Sequence, residues 1–251
     1  LAGCYDYDPN SNYKRDIFTL EKEYNEKLAA VKKGVDTYWL SKPLHTVLNH
    51  KHSLYLDGGS DSFRFGFDLQ YTNQDGVMKG SIRDRVGTGI FVQYTYKSLS
   101  IRNDISFLIT KSKESPYGDF SKFAKQLPYN EYKDENGNYL EHVRDWSSFS
   151  SRIENPLYEP SLSSFDKSSA EELVNNFSIN WKIFPNLLLK GQISLTRGYD
   201  ESKRFIDPLS KRNSNNLSLT NLLSGELYLS EGKNFTYDMN TTLSYNGAIG
   251  E

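Results

Sequence analysis

From residue 50 onward the chain alternates apolar and polar side chains with a period of two. In 63–72, Phe63, Phe65, Phe67, Leu69 and Tyr71 alternate with Arg64, Gly66, Asp68, Gln70 and Thr72. Side chains of a strand point alternately to opposite faces, so the stretch has one apolar and one polar face. The pattern recurs in 86–97, where Val86, Ile90, Val92, Tyr94 and Tyr96 oppose Gly87, Gly89, Gln93 and Thr95. In 99–110, Leu99, Ile101, Ile105, Phe107 and Ile109 oppose Arg102, Asp104, Ser106 and Thr110. It returns in 173–183 (Phe177, Ile179, Trp181, Ile183) and 187–197 (Leu187, Leu189, Ile193, Leu195). Two further strands are predicted near 217–230 and 234–246, with a turn between them at 231–234. With 50–58 included, the pattern predicts about eight strands.

Most of these strands run about 10–14 residues, where soluble strands average about 5–6. A tilted strand needs about 9–11 residues to cross a bilayer. The connections alternate as well. Short turns are predicted at 58–62, 97–99, 184–186 and 231–234, and long loops at 74–85, 111–170 and 198–215. Short turns at one end and long loops at the other characterise outer-membrane barrels. Residues 1–49 read differently. Leu20, Tyr24, Leu28 and Val31 fall at helical spacing, with Thr19 as N-cap, Lys32 and Lys33 at the end and Gly34 as the stop, which predicts a helix over 20–33. A short helical turn with Pro43 early in it is expected within 36–48.

Composition supports the membrane reading of the alternation. The mean hydropathy is -0.66, yet 14% of the 251 residues are aromatic. Alternating faces average out hydropathy, while aromatic girdles mark the interfaces of a barrel. Tyr71, Tyr94, Tyr96, Trp181 and Tyr245 lie near predicted strand ends, as such a girdle requires. A net charge of -2 with no basic stripe gives no basis for nucleic-acid binding. Cys4 is the one cysteine and permits no internal disulfide. The competing reading is a soluble β-rich surface-binding or adhesin module, whose sandwich would alternate in the same way.

Specific stretches carry a resemblance. DTYWLSKPLHTVLNHKHSLYLDGG with Trp-Leu-x-x-Pro-Leu at 39–44, Asp-Gly-Val-Met-Lys-Gly at 75–80, YKDENGNY, Asn-Pro-Leu-Tyr at 155–158, NNFSINWKIFPNLLLKGQISLT and FIDPLS occur in this order. Together they resemble the early barrel of the SusC/RagA family of TonB-dependent outer-membrane transporters. The resemblance implies an all-β, antiparallel up-and-down meander forming part of a 22-stranded transmembrane barrel. Residues 1–49 would be an extracellular loop with a short helix, and 50–251 barrel strands two to nine, ending at an extracellular tip near Gly250. It further implies import of oligosaccharides or peptides across the bacterial outer membrane with a SusD-like surface lipoprotein. Energy would come through TonB acting on a plug, and neither plug nor TonB box lies in this sequence, so the chain is expected to be an internal piece. Arg64, Asp68, Arg102 and Asp104 would line the lumen against that plug.

No P-loop, nucleophile-elbow, HExxH or zinc-ligand pattern occurs, so neither enzyme chemistry nor a cofactor is expected. His50 and His52 share one strand face but lack a third ligand, and read as polar interface or lumen residues. Asp6 with Asp8 and Asp200 with Glu201 are carboxylate pairs, expected as solvated acids in loops. Asp134 to Asn138 begins like a calcium loop, but Tyr139 takes the place that requires Gly, and Asn136-Gly137 reads as a tight turn. The Asn-x-Ser/Thr sequences at Asn176, Asn216, Asn234 and Asn240 follow from the alternation itself. The 111–170 loop carries Tyr117, Phe120, Phe123, Tyr129, Tyr132, Tyr139, Trp146, Phe149 and Tyr158. These side chains either meet an outside ligand or fold the loop over the barrel end; no individual ligand residue is nominated.

Overall fold

The computed structural model describes residues 17–143, 153–212 and 225–247. A helix α1 spans Ile17–Lys32. It starts two residues before Thr19, so that residue lies inside the helix and does not cap it. Gly34, at φ 77°, follows the helix in the left-handed region open to glycine. The predicted helical turn is a 3-10 turn at Trp39–Ser41, with Pro43 after it.

One antiparallel sheet dominates the chain. Its strands are β1 (His50–Gly59), β2 (Phe63–Asp75), β3 (Ile82–Tyr96), β4 (Leu99–Lys113), β7 (Phe165–Phe184), β8 (Leu187–Ile206) and β9 (Glu226–Tyr245). Neighbours in space are neighbours along the chain, apart from a small hairpin of β5 (His142–Val143) and β6 (Ile153–Glu154) set in the long loop. That loop also contains a short helix α2 (Phe120–Ala124). The sheet is an open up-and-down meander with β1 and β9 at its edges.

The sheet has seven strands because the last two predicted strands are one. Positions 231–234 are no turn: Glu231, Gly232, Lys233 and Asn234 pair with Glu201, Asp200, Tyr199 and Gly198. Leu227, Leu229, Glu231, Lys233 and Phe235 keep one parity, so alternation passes through the segment although its hydrophobicity falls. The early part of predicted strand 217–230 lies outside the described residues. The same loss of hydrophobicity hid the strand extensions at 74–75, 82–85, 111–113, 165–172 and 198–206. The merger also reverses the direction of the final strand: Tyr245 pairs with Leu187, beside the 185–186 turn. The described chain thus ends on the short-turn side, not at a long-loop tip; Gly250 itself is outside the described residues.

Register places paired residues on one face, and apolar residues line up across several neighbouring strands. One line runs Leu56, Phe67, Ile90 and Ile105, another Ile101, Ile179, Gly191, and a third Phe177, Ile193, Met239. These residues have no second layer above them among the described residues. Phe65 is 46% exposed, Trp181 41% and Met239 72%, where a sandwich would bury all three. The buried apolar core sits elsewhere, at the long-loop end, and consists of Trp39, Phe123, Val143 and Leu157.

Candidate functional site

The apolar face is a band of defined height. On β3 it runs from Val86 to Tyr96, about 34 Å along the strand at the usual rise. Projected at the ~40° tilt of barrel strands this is roughly 26 Å, close to the ~25 Å apolar belt of outer-membrane barrels. Tyr94, Tyr96, Trp181 and Tyr245 lie toward the short turns, and Tyr71 and Tyr199 toward the long loops. Beyond Tyr71 and Tyr199 the same face turns polar, with Asn73, Asp84, Lys111, Ser169, Glu201 and Glu231 in one row. Asn103, Asn175 and Arg197 interrupt the band, and Glu171 and Lys233 lie in its top row with Ile109 and Tyr199. The side-chain oxygen of Asn103 is buried without a hydrogen-bond partner.

The opposite face carries the residues expected to line a lumen. Arg64, Asp68, Arg102 and Asp104 all lie on it. The Arg102 guanidinium forks onto Asp104, with Nε to Oδ2 at 2.8 Å and Nη2 to Oδ1 at 2.6 Å, and lies 4.3 Å from the Phe91 ring centre. The Phe91 ring rests over Gly66, where any Cβ would enter the ring, and the Asp68 carboxylate rests over Gly89. The glycines of FRFGF and VGTGI thus make room for large neighbours on a crowded polar face. Asn176, Asn234 and Asn240 also lie here, and Asn176 accepts from Ser194 Oγ at 2.6 Å; Asn216 is outside the described residues.

At the long-loop end the resemblance motifs meet one another. Lys79 N–H donates to Pro43 C=O at 2.8 Å and His45 N–H to Val77 C=O at 3.1 Å, so 39–44 and 75–80 pair. Trp39 packs with Phe123, Val143 and Leu157, and with Tyr132 edge to face at 5.8 Å. Buried Asn155 donates to the carbonyls of Tyr132 at 2.9 Å and Leu140 at 2.7 Å, and accepts from Leu157 N–H at 3.0 Å. Ile206 and Ser210 of FIDPLS are buried too, and Ser210 Oγ donates to Glu159 Oε2 at 2.8 Å. These motifs build the assembly at the long-loop end of the sheet. Of the loop aromatics, Phe123 is fully buried, Tyr117, Tyr129, Tyr132 and Tyr158 are half-buried, and Phe120 and Tyr139 are exposed. Trp146 and Phe149 lie outside the described residues.

A cavity of about 460 Å³ opens beside this assembly, between α2, the 153–159 turn and the 211–212 backbone. It is lined by cations (Lys122, Lys125, Lys211, Arg212), carboxylates (Glu141, Glu154, Glu159) and two tyrosines, Tyr117 and Tyr158. Lys211 Nζ lies 2.8 Å from Glu141 Oε2, which holds that carboxyl below its usual range, and Lys122 lies 3.7 Å from Glu154. Burial pushes the Tyr117 and Tyr158 phenols up, the latter helped by Glu141 and Glu159. Arg212 Nε lies 3.8 Å from Glu159 Oε2, so the surface is amphoteric and aromatic with most of its charges in mutual contact.

The fold has counterparts among solved structures. A chain of the RagAB peptide transporter superposes with a TM-score of 0.68 at 14% identity, over 96% of this chain and 29% of that one. The RagAB peptide importer matches in its closed-closed state (0.63, 18% identity, 86% and 24%) and its open-open state (0.63, 17%, 86% and 24%). The chain has the fold of a segment of these chains. The SusC/RagA resemblance is thereby supported at the level of fold, and the chain spans under a third of those chains' length. No protein-family model and no curated protein matches it.

Several candidate residues are placed differently from the sequence reading. Asp200 and Glu201 are in β8, not in a loop, and as strand neighbours they point to opposite faces and cannot act together. Asp6, Asp8 and Cys4 lie outside the described residues. His50 and His52 stack at 5.2 Å, with Tyr71 5.7 Å from His50, on the outer margin of the apolar band. No three metal-binding side chains gather among the described residues. Asp134 closes a tight turn: Gly137 N–H donates to its carbonyl, and Asn136 N–H and Asn138 N–H to its carboxylate. Those bonds hold its pKa below the usual range, led by the Asn138 side chain. Sequence reasoning missed Glu141, Glu159, Lys211 and Arg212, which converge from segments 70 residues apart.

Proposed function

We propose that the chain is a segment of a SusC-like, TonB-dependent importer of the bacterial outer membrane, acting with a SusD-like surface lipoprotein. One observation carries the reading: an uncovered, largely apolar band, roughly 26 Å high on β3, runs across the sheet with aromatic residues toward both margins and few polar interruptions. Residues 17–49 and the long loop form the outer assembly, and 50–247 the wall and lumen face. A soluble module would need a second layer over the band, and the described residues provide none. Of the two cargo classes, peptide is favoured over oligosaccharide. The structural neighbours are peptide transporters by name, and the mixed-charge cleft at the long-loop end suits a zwitterion.

Two arginine substitutions test the lipid-facing wall. In the full-length barrel protein folded into phosphatidylcholine vesicles, Phe65→Arg should cost about 2–4 kcal/mol of stability, while Ser106→Arg on the polar face should cost far less. Equal costs on the two faces would sink the reading. Saturable binding of neutral oligosaccharides with none of short peptides would overturn the choice of cargo.

A further inference from the structure

Above the apolar band, on the same face, three lysines stand side by side. Lys113 of β4 pairs in register with Lys167 of β7, and Lys167 with Lys203 of β8. Lys111 lies one row nearer the band. Like charges directly opposite on adjacent strands destabilise a sheet, so this row calls for an anion. The same face carries Asp84, Glu171, Glu201 and Glu231 nearby, but only Glu201 forms an ion pair with a lysine of the row among the described residues. Glu201 pairs with Lys203 at 2.5 Å, and Asp84 already accepts from Asn73 Nδ2 at 2.8 Å. Lys167 Nζ lies 5.0 Å from the Phe165 ring centre, a contact that cancels no charge. Lys111 and Lys113 have no ion-pair or hydrogen-bond partner among the described residues. The four lysines and two carboxylates line an open cleft of about 350 Å³.

Position identifies the anion. Lys113 is four residues beyond Ile109, the last apolar residue of the band on β4. That is about 13 Å along the strand, or roughly 10 Å along the membrane normal at barrel tilt. Headgroups extend about 5–8 Å beyond the hydrocarbon on each side. Lysine stems bend back along apolar surface while the ammonium stays in the polar layer, which brings it to the level of lipid phosphates. We propose that the Lys113–Lys167–Lys203 row, with Lys111, binds the phosphate of an anionic lipid headgroup in the leaflet at the long-loop end. The proposal rests on the lipid-facing reading of the band.

The test folds the full-length barrel protein into phosphatidylcholine vesicles with or without phosphatidate as a minor component, and reads lysine acetylation rates residue by residue. Phosphatidate should slow acetylation of Lys111, Lys113 and Lys167 about fivefold or more, with Lys125 unchanged. The Lys113→Gln/Lys167→Gln variant should fold into neutral vesicles as the parent does and lose the protection of Lys111 that phosphatidate confers. Equal rates in both vesicles overturn the lysine site alone. Equal protection by inorganic phosphate overturns it too, since a free anion would then suffice. Failure to associate with either vesicle overturns the lipid-facing reading and this proposal with it.

Discussion

The indole N–H of Trp39 donates to the carbonyl of Leu127 at 2.9 Å, joining residues 88 apart in sequence. The ring itself is 3% exposed, wedged among Phe123, Val143 and Leu157. Trp39→Ala should destabilise the loop assembly by about 3–5 kcal/mol through the cavity it leaves. Trp39→Phe should cost less, about 1 kcal/mol or so for the lost hydrogen bond and the smaller ring. Amide hydrogen exchange should locate the loss in 115–143 and spare the centre of the sheet. Uniform loss across β2, β3 and β4 would contradict this division.

Asn155 is the polar counterpart of Trp39. Asn155→Leu would leave the Leu140 carbonyl and the buried Leu157 N–H without their partner, at about 1–3 kcal/mol for the buried donor and less for the part-buried carbonyl, while the Tyr132 carbonyl keeps Leu140 N–H. The expected sign is rapid proteolytic cleavage between Tyr132 and Leu140, with the sheet strands intact. A protease pattern matching that of the parent would show that the loop does not depend on this side chain.

Depth along one strand provides a further check on the band. Ile90, mid-band on β3, should tolerate Arg poorly, at about 2–4 kcal/mol, whereas Ile82, above the band, should cost no more than about 1 kcal/mol. Equilibrium unfolding of the full-length barrel protein from vesicles measures both. Costs independent of depth would place the face against something other than a bilayer.

Asn103 offers a gain. Its side-chain oxygen is buried and unpaired on the apolar face, between Val92 and Phe177. Asn103→Leu removes that oxygen and should stabilise the chain by about 1–3 kcal/mol. Denaturation of parent and variant under one condition decides it; a less stable variant would reveal a partner for the amide.

The loop assembly should loosen in acid. Glu141 has its folded pKa depressed by Lys211, so its stabilising contribution is full above the unfolded value, about 4.3. That contribution is lost as pH falls through the lower, folded value. Asp207, lowered mainly by Ser163 and then by Leu209 N–H, behaves alike below its unfolded value of about 3.9. Lys211→Met should remove the Glu141 share, seen as a shallower pH dependence of hydrogen exchange in 141–143 and 207–212. An unchanged pH profile would show that the pair carries no stability.

The alternation of residues was enough to establish the middle of each strand, its two faces and three of the four short turns, at 58–62, 97–99 and 184–186. A sustained period of two matches the alternating side chains of a strand, and apolar rows in register define one face whatever lies against it. Alternation also put Phe65 and Arg64 of FRFGFDLQYT on opposite faces, and said nothing of what lies against either. It lost the strands where they leave the apolar band, because polar residues on both faces look like loop; hence 198–206 and 231–234 were misread. What only the tertiary structure decided was which segments meet. Trp39 finding Leu127, Lys79 finding Pro43 and Glu141 finding Lys211 depend on chain geometry far beyond local pattern. The lysine row exists only through the pairing register of β4, β7 and β8, since each lysine alone is an ordinary residue of a polar strand end.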